Sequence, residues 1–338
     1  MTTRILTTVT AIAIALSTPA CAAPKITFVE SPGRVEVKLD GKVFTNYIYA
    51  VDRARPLAAE GVLLTKPVLY PLSTPSGTVL TRGWPFEKGE GEKTDHPHHI
   101  GLFFTYDEIN GSNFWNNSRN KLPAIRHATV ATQNDPNGNP QLLTTAIWVG
   151  NSDEPLLRES RVTTFIPGDD QHIIDIDIEL QAVADKVGFG DTKEGMFAIR
   201  LAQWLTESTE APYTPGTGSY LSSNGDERES GVWGKRAKWV RIEGQRDNKT
   251  VGVAILNHPA STNYPTFWHA RGYGAFSANP LGQLAFEKSK KVENPTAFGL
   301  TLTKGQKAPF KFRVICYDGP RTPEQLEAEF NTYANATE

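Results

Sequence analysis

Three of the seven histidines, His96, His98 and His99, fall within the run DHPHHIGLFFTYDEINGSNFW at residues 95–115. Imidazoles grouped like this serve two kinds of chemistry. They bind a metal as neutral ligands, or they carry protons near neutral pH. Metal binding needs ligands that converge from several directions, usually with a carboxylate. The H-x-H spacing permits convergence without requiring it, and no H-E-x-x-H or paired-cysteine motif is present. Pro97 biases His96 toward an extended backbone. If the extension continues, His96 and His98 share a face with Ile100, Leu102 and Phe104. His99 then points the other way with Gly101, Phe103 and Thr105. All three rings converge only through a twist or bulge.

Two further polar groups stand out. In GFGDTKEGMFAIRLA, Lys193 and Glu194 place a cation beside a carboxylate at a strand entrance, where a solvated turn is the ordinary alternative. Arg200 interrupts an otherwise apolar run, and a buried arginine needs a carboxylate partner or an anionic ligand. In LNHPASTNYPTFWHARGYGAFSANPLG, His269 and Arg271 are two apart, so an extended chain shows both on one face. That pairing suits an anionic group, or a proton transfer beside one. His258 precedes Pro259 at a strand end, where a local hydrogen bond accounts for it. Trp115 follows the Asn110-Gly111 turn and reads equally as a sugar platform or a core residue. His127 and His172 lie in strand-like surroundings without such company.

These side chains must be carried by strands. RVEVKLDGKVFTNYIY alternates apolar and polar positions around an Asp40-Gly41 hairpin turn. In RVTTFIPGDDQHIIDIDIELQAV, Ile174, Ile176, Ile178 and Leu180 face one way, and Asp175, Asp177 and Glu179 the other. QLLTTAIWVG, WVRIEG, TVGVAILNH, GLTLTKG and FKFRVICYDG continue the pattern. Strands do not alternate with long helices, which argues for an antiparallel sandwich or barrel over a parallel α/β fold. One helix is marked: Thr322, Pro323 and Gln325 form a start signal, and Leu326, Phe330 and Tyr333 share a face. The segment from Thr81 to Asp95 reads as a mobile loop leading into the histidines.

The chain has 338 residues and a net charge of −2, which gives no electrostatic reason to expect nucleic acid. Residues 1–22 read as a secretory signal: Arg4, an apolar stretch, then Ala20-Cys21-Ala22 at the cleavage site. A lipoprotein anchor at Cys21 is the alternative. No later stretch is apolar enough to span a membrane as a helix. The expectation is a periplasmic or secreted protein with one domain over residues 23–338, in which Cys316 is a buried free thiol.

The blocks KPVLYPLSTPSGTVLTRGWP, HPHHIGLFF, NGSNFW, DTKEGMFAIRLA, VWGKRAKWV and NHPASTNYPTFWHARGYGAFSANPLG together resemble an uncharacterised bacterial methane-oxygenase-like (PmoA-like) family. The resemblance covers nearly the whole chain after residue 22, with Ile100 where an arginine is the family's pattern. It implies a large antiparallel β-sandwich similar to the galactose-mutarotase-like supersandwich, closed by a short C-terminal helix. Proteins of that architecture commonly act on carbohydrates, so the resemblance implies a carbohydrate ligand and a lyase, hydrolase or epimerase. On that reading His98, His99, Glu194 and His269 are the catalytic candidates. His96, Trp115, Lys193, Arg200, His258, Trp268 and Arg271 are the substrate-binding ones. No cofactor is implied. The alternatives are a divalent metal on His96, His98 and His99, and a non-catalytic glycan-binding protein.

Overall fold

The computed structural model describes residues 25–51 and 57–336. The signal read over residues 1–22, with Cys21, lies outside them. Two eight-stranded sheets face each other, and every strand pairing within them is antiparallel. In spatial order the first sheet runs Ile26–Ser31, Arg34–Leu39, Lys42–Ile48, Val68–Tyr70, Leu102–Tyr106, Gly195–Arg200, Ala275–Asn279, Phe267–Ala270. The second runs Ser219–Ser222, Trp239–Arg246, Lys249–Asn257, Lys307–Asp318, Gln171–Ala182, Pro155–Ile166, Pro140–Val149, Ala124–Asn134.

Period-two alternation builds the core between the sheets. Leu102, Phe104 and Tyr106 point inward from one strand, and Ile174, Ile176, Ile178 and Leu180 from another. Phe197 stacks on Phe312 with ring centres 4.3 Å apart, joining the two sheets. The acidic side of the Gln171–Ala182 strand faces outward. Arg313 holds Asp175 through two bonds of 2.7 Å from the directly opposite position. Cys316 is buried in the core with its thiol pushed up to about 12 by that burial, as a free structural thiol should be. Asp40-Gly41 and Asn110-Gly111 both take positive φ at both positions, the geometry that two-residue hairpin turns require.

The C-terminal helix, Pro323–Ala334, starts as its sequence dictates. Gln325 N–H donates to the Thr322 hydroxyl, and Thr322 N–H donates to the Gln325 side chain. Leu326, Phe330 and Tyr333 cover the outer face of the second sheet at Trp239, Leu256 and Ile315. Thr322→Ala is expected to cost about 1 kcal/mol in urea denaturation. An unchanged midpoint would show that packing alone fixes this helix. On the outer face of the first sheet the short Gln283–Ser289 helix packs Phe286 against Phe267 and His269, and His96, His98 and His99 lie on the same face.

Candidate functional site

A row of directly opposed residues crosses the outer face of the first sheet: Val68, Phe103, Ala198, Ser277, His269. The small Ala198 and Ser277 stand between the bulky Phe103 and His269, and all four are buried. Three strand spacings separate these two, roughly 14 Å. The polar groups divide into two halves at the ends of this row.

The histidine half is built on a turn. His99 N–H donates to the His96 carbonyl at 3.0 Å, with Pro97 and His98 between them and His96 at φ 43°. Proline presets the second position of such a turn. The extended run expected through His96–His99 is therefore corrected. Pro97 disfavours only the α region for His96, and the turn bond and Asp95 hold it in the left-handed one. Gly101 completes the approach at φ 55°, where a β-carbon would lie 2.3 Å from the Leu69 carbonyl oxygen. The turn gathers the three rings: His98 lies 4.3 Å from His99, and His96 stacks on His99 at 5.2 Å. The parallel rings of His96 and His99 direct their in-plane lone pairs side by side instead of at one point, so these two do not suit a shared ion, while His98 stands steeply inclined to both. Among the described residues no three His, Cys, Asp or Glu side chains are grouped as metal ligands.

Asp95 anchors this half. Its Oδ1 accepts bonds of 2.7 Å from both Arg82 and Arg200, and its Oδ2 lies 3.0 Å from His96 Nδ1. Both arginines are 1% exposed. The buried Arg200 thus has the carboxylate partner its sequence demanded, 105 positions away. Burial opposes ionisation of Asp95, yet the bond to His96 and the two guanidiniums hold its carboxyl well below the usual range. The Thr81–Asp95 segment, read as mobile, is tied at Arg82 to the Lys93 carbonyl and Asp95. At Glu92 it is tied to the Gly83 and Gly89 N–H groups.

His98 is driven down to about 3, first by burial and then by the charge of Lys66. His99 is held well below its ordinary value by burial and then by His98 and the nearby cations. Both rings are neutral at physiological pH. His99, Phe103 and Trp115 pack together with ring centres 5.2–5.9 Å apart. Trp115 is 1% exposed, so it forms part of the wall and offers no open platform. A cavity of about 590 Å³ adjoins His98, lined also by Asn113, Asn116, Asn117, Asn120 and Asn151.

The second half centres on His269. Trp233 Nε1–H donates to His269 Nδ1 at 3.2 Å, which leaves the proton of the neutral ring on Nε2. That nitrogen lies 3.8 Å from Glu194 Oε2, while Lys193 contacts the other Glu194 oxygen. Asp107 lies beside Glu194, since its N–H donates to the Glu194 carbonyl at 3.1 Å. Its carboxylate accepts from the Thr192 hydroxyl, and burial raises its pKa. Arg271 pairs with Glu229 at 2.6 Å and lies over Trp233, on the same face as His269 as expected.

Tyr273 joins the halves. His96 stacks on its ring at 5.1 Å, and the guanidiniums of Arg200 and Arg271 lie 5.0 and 5.5 Å from its centre. His98 and His99 therefore share one face with Glu194 and His269 without touching them. Two expected binding residues lie elsewhere. Trp268 is 0% exposed in the inter-sheet core, donating to the Ala237 carbonyl, because alternation turns it inward when His269 turns outward. His258 packs on Tyr333 of the C-terminal helix, outside the second sheet, and accepts from Ala260 N–H. Asp95, Asp107, Trp233, Tyr273 and Lys66 were not singled out as site residues. Asp107 was the most legible, continuing the Phe103, Thr105 face by two.

Burial holds His269 down to about 4, against the opposing pull of Glu194. The unfolded ring binds its proton near 6.5. Stability is therefore expected to fall as pH drops from about 6.5 to about 4, by about 2–3 kcal/mol from this ring alone. His269→Gln should flatten that slope in urea titrations between pH 7 and 4.5. An unaltered slope would show that His269 titrates normally.

The model of a family of unknown function (DUF6807) matches residues 34–331. No curated protein matches the chain. Among solved structures it is similar to the galactosidase domain of an alpha-galactosidase-sucrose kinase, at 8% identity over 87% of this chain and 42% of that one, TM-score 0.39. It is similar to a 4-alpha-glucanotransferase from Thermococcus litoralis, at 11% over 87% and 40%, TM-score 0.31. A galactose mutarotase related enzyme from Lactobacillus acidophilus matches at 7% over 87% and 97%, TM-score 0.33. The chain spans about two fifths of the length of the first two.

Proposed function

The match makes the chain a member of the DUF6807 family, and from the site itself we propose that this member is an exported carbohydrate-active enzyme of lyase, hydrolase or epimerase type. One observation carries the reading: neutral imidazoles and a pair of carboxyl groups in unlike surroundings share one sheet face, beside an asparagine-lined cavity. Amide side chains offer both donors and acceptors, which suits hydroxyl groups. Asp107, held toward its protonated form by burial and then by its neighbours' negative charge, serves as general acid. Glu194 serves as base, oriented by the His269 Nε2–H and by Lys193. His98 and His99 accept or relay a proton in the other half, and Tyr273 offers a partly exposed ring between them. The sequence resemblance to methane-oxygenase-like proteins adds no chemistry to this reading.

The test is turnover of a panel of oligosaccharides, with products identified by mass spectrometry, for the unaltered protein and for Glu194→Gln. Turnover that falls about 100-fold or more in the variant, with binding retained, supports the assignment. Binding without turnover of any glycan would favour the second reading, a glycan-binding protein, for which the asparagine-lined cavity speaks.

A further inference from the structure

Lys66 precedes the short Val68–Tyr70 strand and is 2% exposed. Its Nζ lies 5.2 Å from the centre of the Phe103 ring and 3.5 Å from the Trp115 carbonyl, a marginal hydrogen bond. Among the described residues no carboxylate forms an ion pair with it. Asp95 is already shared by Arg82 and Arg200. The same Phe103 ring is flanked by His99 and Trp115. Both nitrogens of His99 and the indole Nε1 of Trp115 are buried without a hydrogen-bond partner. An ammonium, an indole N–H and an imidazole N–H thus gather around one aromatic ring; among the described residues the indole and imidazole have no acceptor, and the ammonium has only the long contact to the Trp115 carbonyl. Buried donors in this condition are costly, and a buried unpaired cation more so. Lys66, Arg200 and Arg82 all act on His98 as nearby positive charges, with Asp95 already shared by the two arginines.

We propose that the histidine half is an anion subsite that takes the carboxylate of an acidic sugar, with Lys66 as its counter-charge and His99 and Trp115 as further donors. The proposal rests on the sugar reading of this face and narrows it to glycans containing a uronic acid. The cavity reaches His98, whose ring lies 4.3 Å from that of His99, so a sugar seated there meets the buried donors once the His98 ring turns aside, and the asparagines meet the uncharged hydroxyls of the same sugar. Such a ligand satisfies the orphaned donors and neutralises Lys66 in one step. It also explains why a lysine stands where methionine or leucine would pack on Phe103 at no electrostatic cost.

The experiment titrates the full protein with glucuronate, glucose, acetate and inorganic phosphate, reading heat and the chemical shifts of the histidine rings. Lys66→Met and Lys66→Gln are run in parallel, the glutamine variant keeping a donor. The expected result is glucuronate binding about 10–100-fold tighter than glucose, with the preference lost in Lys66→Met and partly kept in Lys66→Gln. Equal affinity for glucuronate and glucose would overturn the subsite and leave the sugar reading standing. Acetate binding at His98 and His99 without any sugar binding would support the subsite and overturn the sugar reading. Phosphate bound ahead of acetate would overturn the carboxylate assignment, and no binding of any probe would overturn both.

Discussion

Lys66→Met is expected to make the protein more stable by about 2–4 kcal/mol at pH 7, a gain from deleting a charge. The ammonium is buried against Phe103 with no carboxylate paired to it among the described residues, and burial holds it down to about 7. The unfolded lysine keeps its proton up to about 10.4. Between these values the unfolded chain binds more protons than the folded one, so stability rises with pH from about 7 to about 10.4. Below pH 7 both states are protonated and the penalty of burial is complete. Methionine has nearly the same length and makes favourable contacts with an aromatic ring. Urea denaturation of both proteins at pH 7 and pH 9 measures the effect. The gain should shrink at the higher pH, and a variant less stable than the parent would show that Lys66 has a compensating partner.

The opposite outcome is expected at Asp95. Asp95→Asn should lower stability by about 3–5 kcal/mol, because it leaves Arg82 and Arg200 buried with no negative partner. The loss should be local as well as global. His96 loses its carboxylate contact, and the Thr81–Asp95 segment loses its closure. Adding Arg200→Met to Asp95→Asn is expected to recover part of the lost stability, since the second change removes one of the two stranded charges. A single-variant loss below about 1 kcal/mol would mean that water already solvates the guanidiniums.

Legibility in the sequence followed the range of the interactions involved. The C-terminal helix was readable because its start signal spans four residues and its apolar face repeats every turn. The Gln171–Ala182 strand was readable because alternation is a property of the strand alone. The histidine turn was misread for the same reason in reverse. Pro97 supplies a local preference, and contacts from Asp95 and the turn hydrogen bond outweigh it. Nothing near Arg200 indicates Asp95, and nothing in TKPVLY marks Lys66 as buried without a counter-ion. Trp268 and His269 show a different gap. Alternation fixes that they oppose each other, but which one enters the core depends on where the second sheet lies, and short-range pattern holds no record of that.

The single phenol ring of Tyr273 touches His96, Arg200 and Arg271 together. A ligand that shifts any one of these groups must disturb how the others rest on that ring. On the proposed reading, a ligand at one end of the sheet face would be felt at the other through this side chain, without movement of either sheet. If this face binds a sugar and transfers a proton as proposed, linking the two would need no lid and no domain motion, only a small tilt of one aromatic plate.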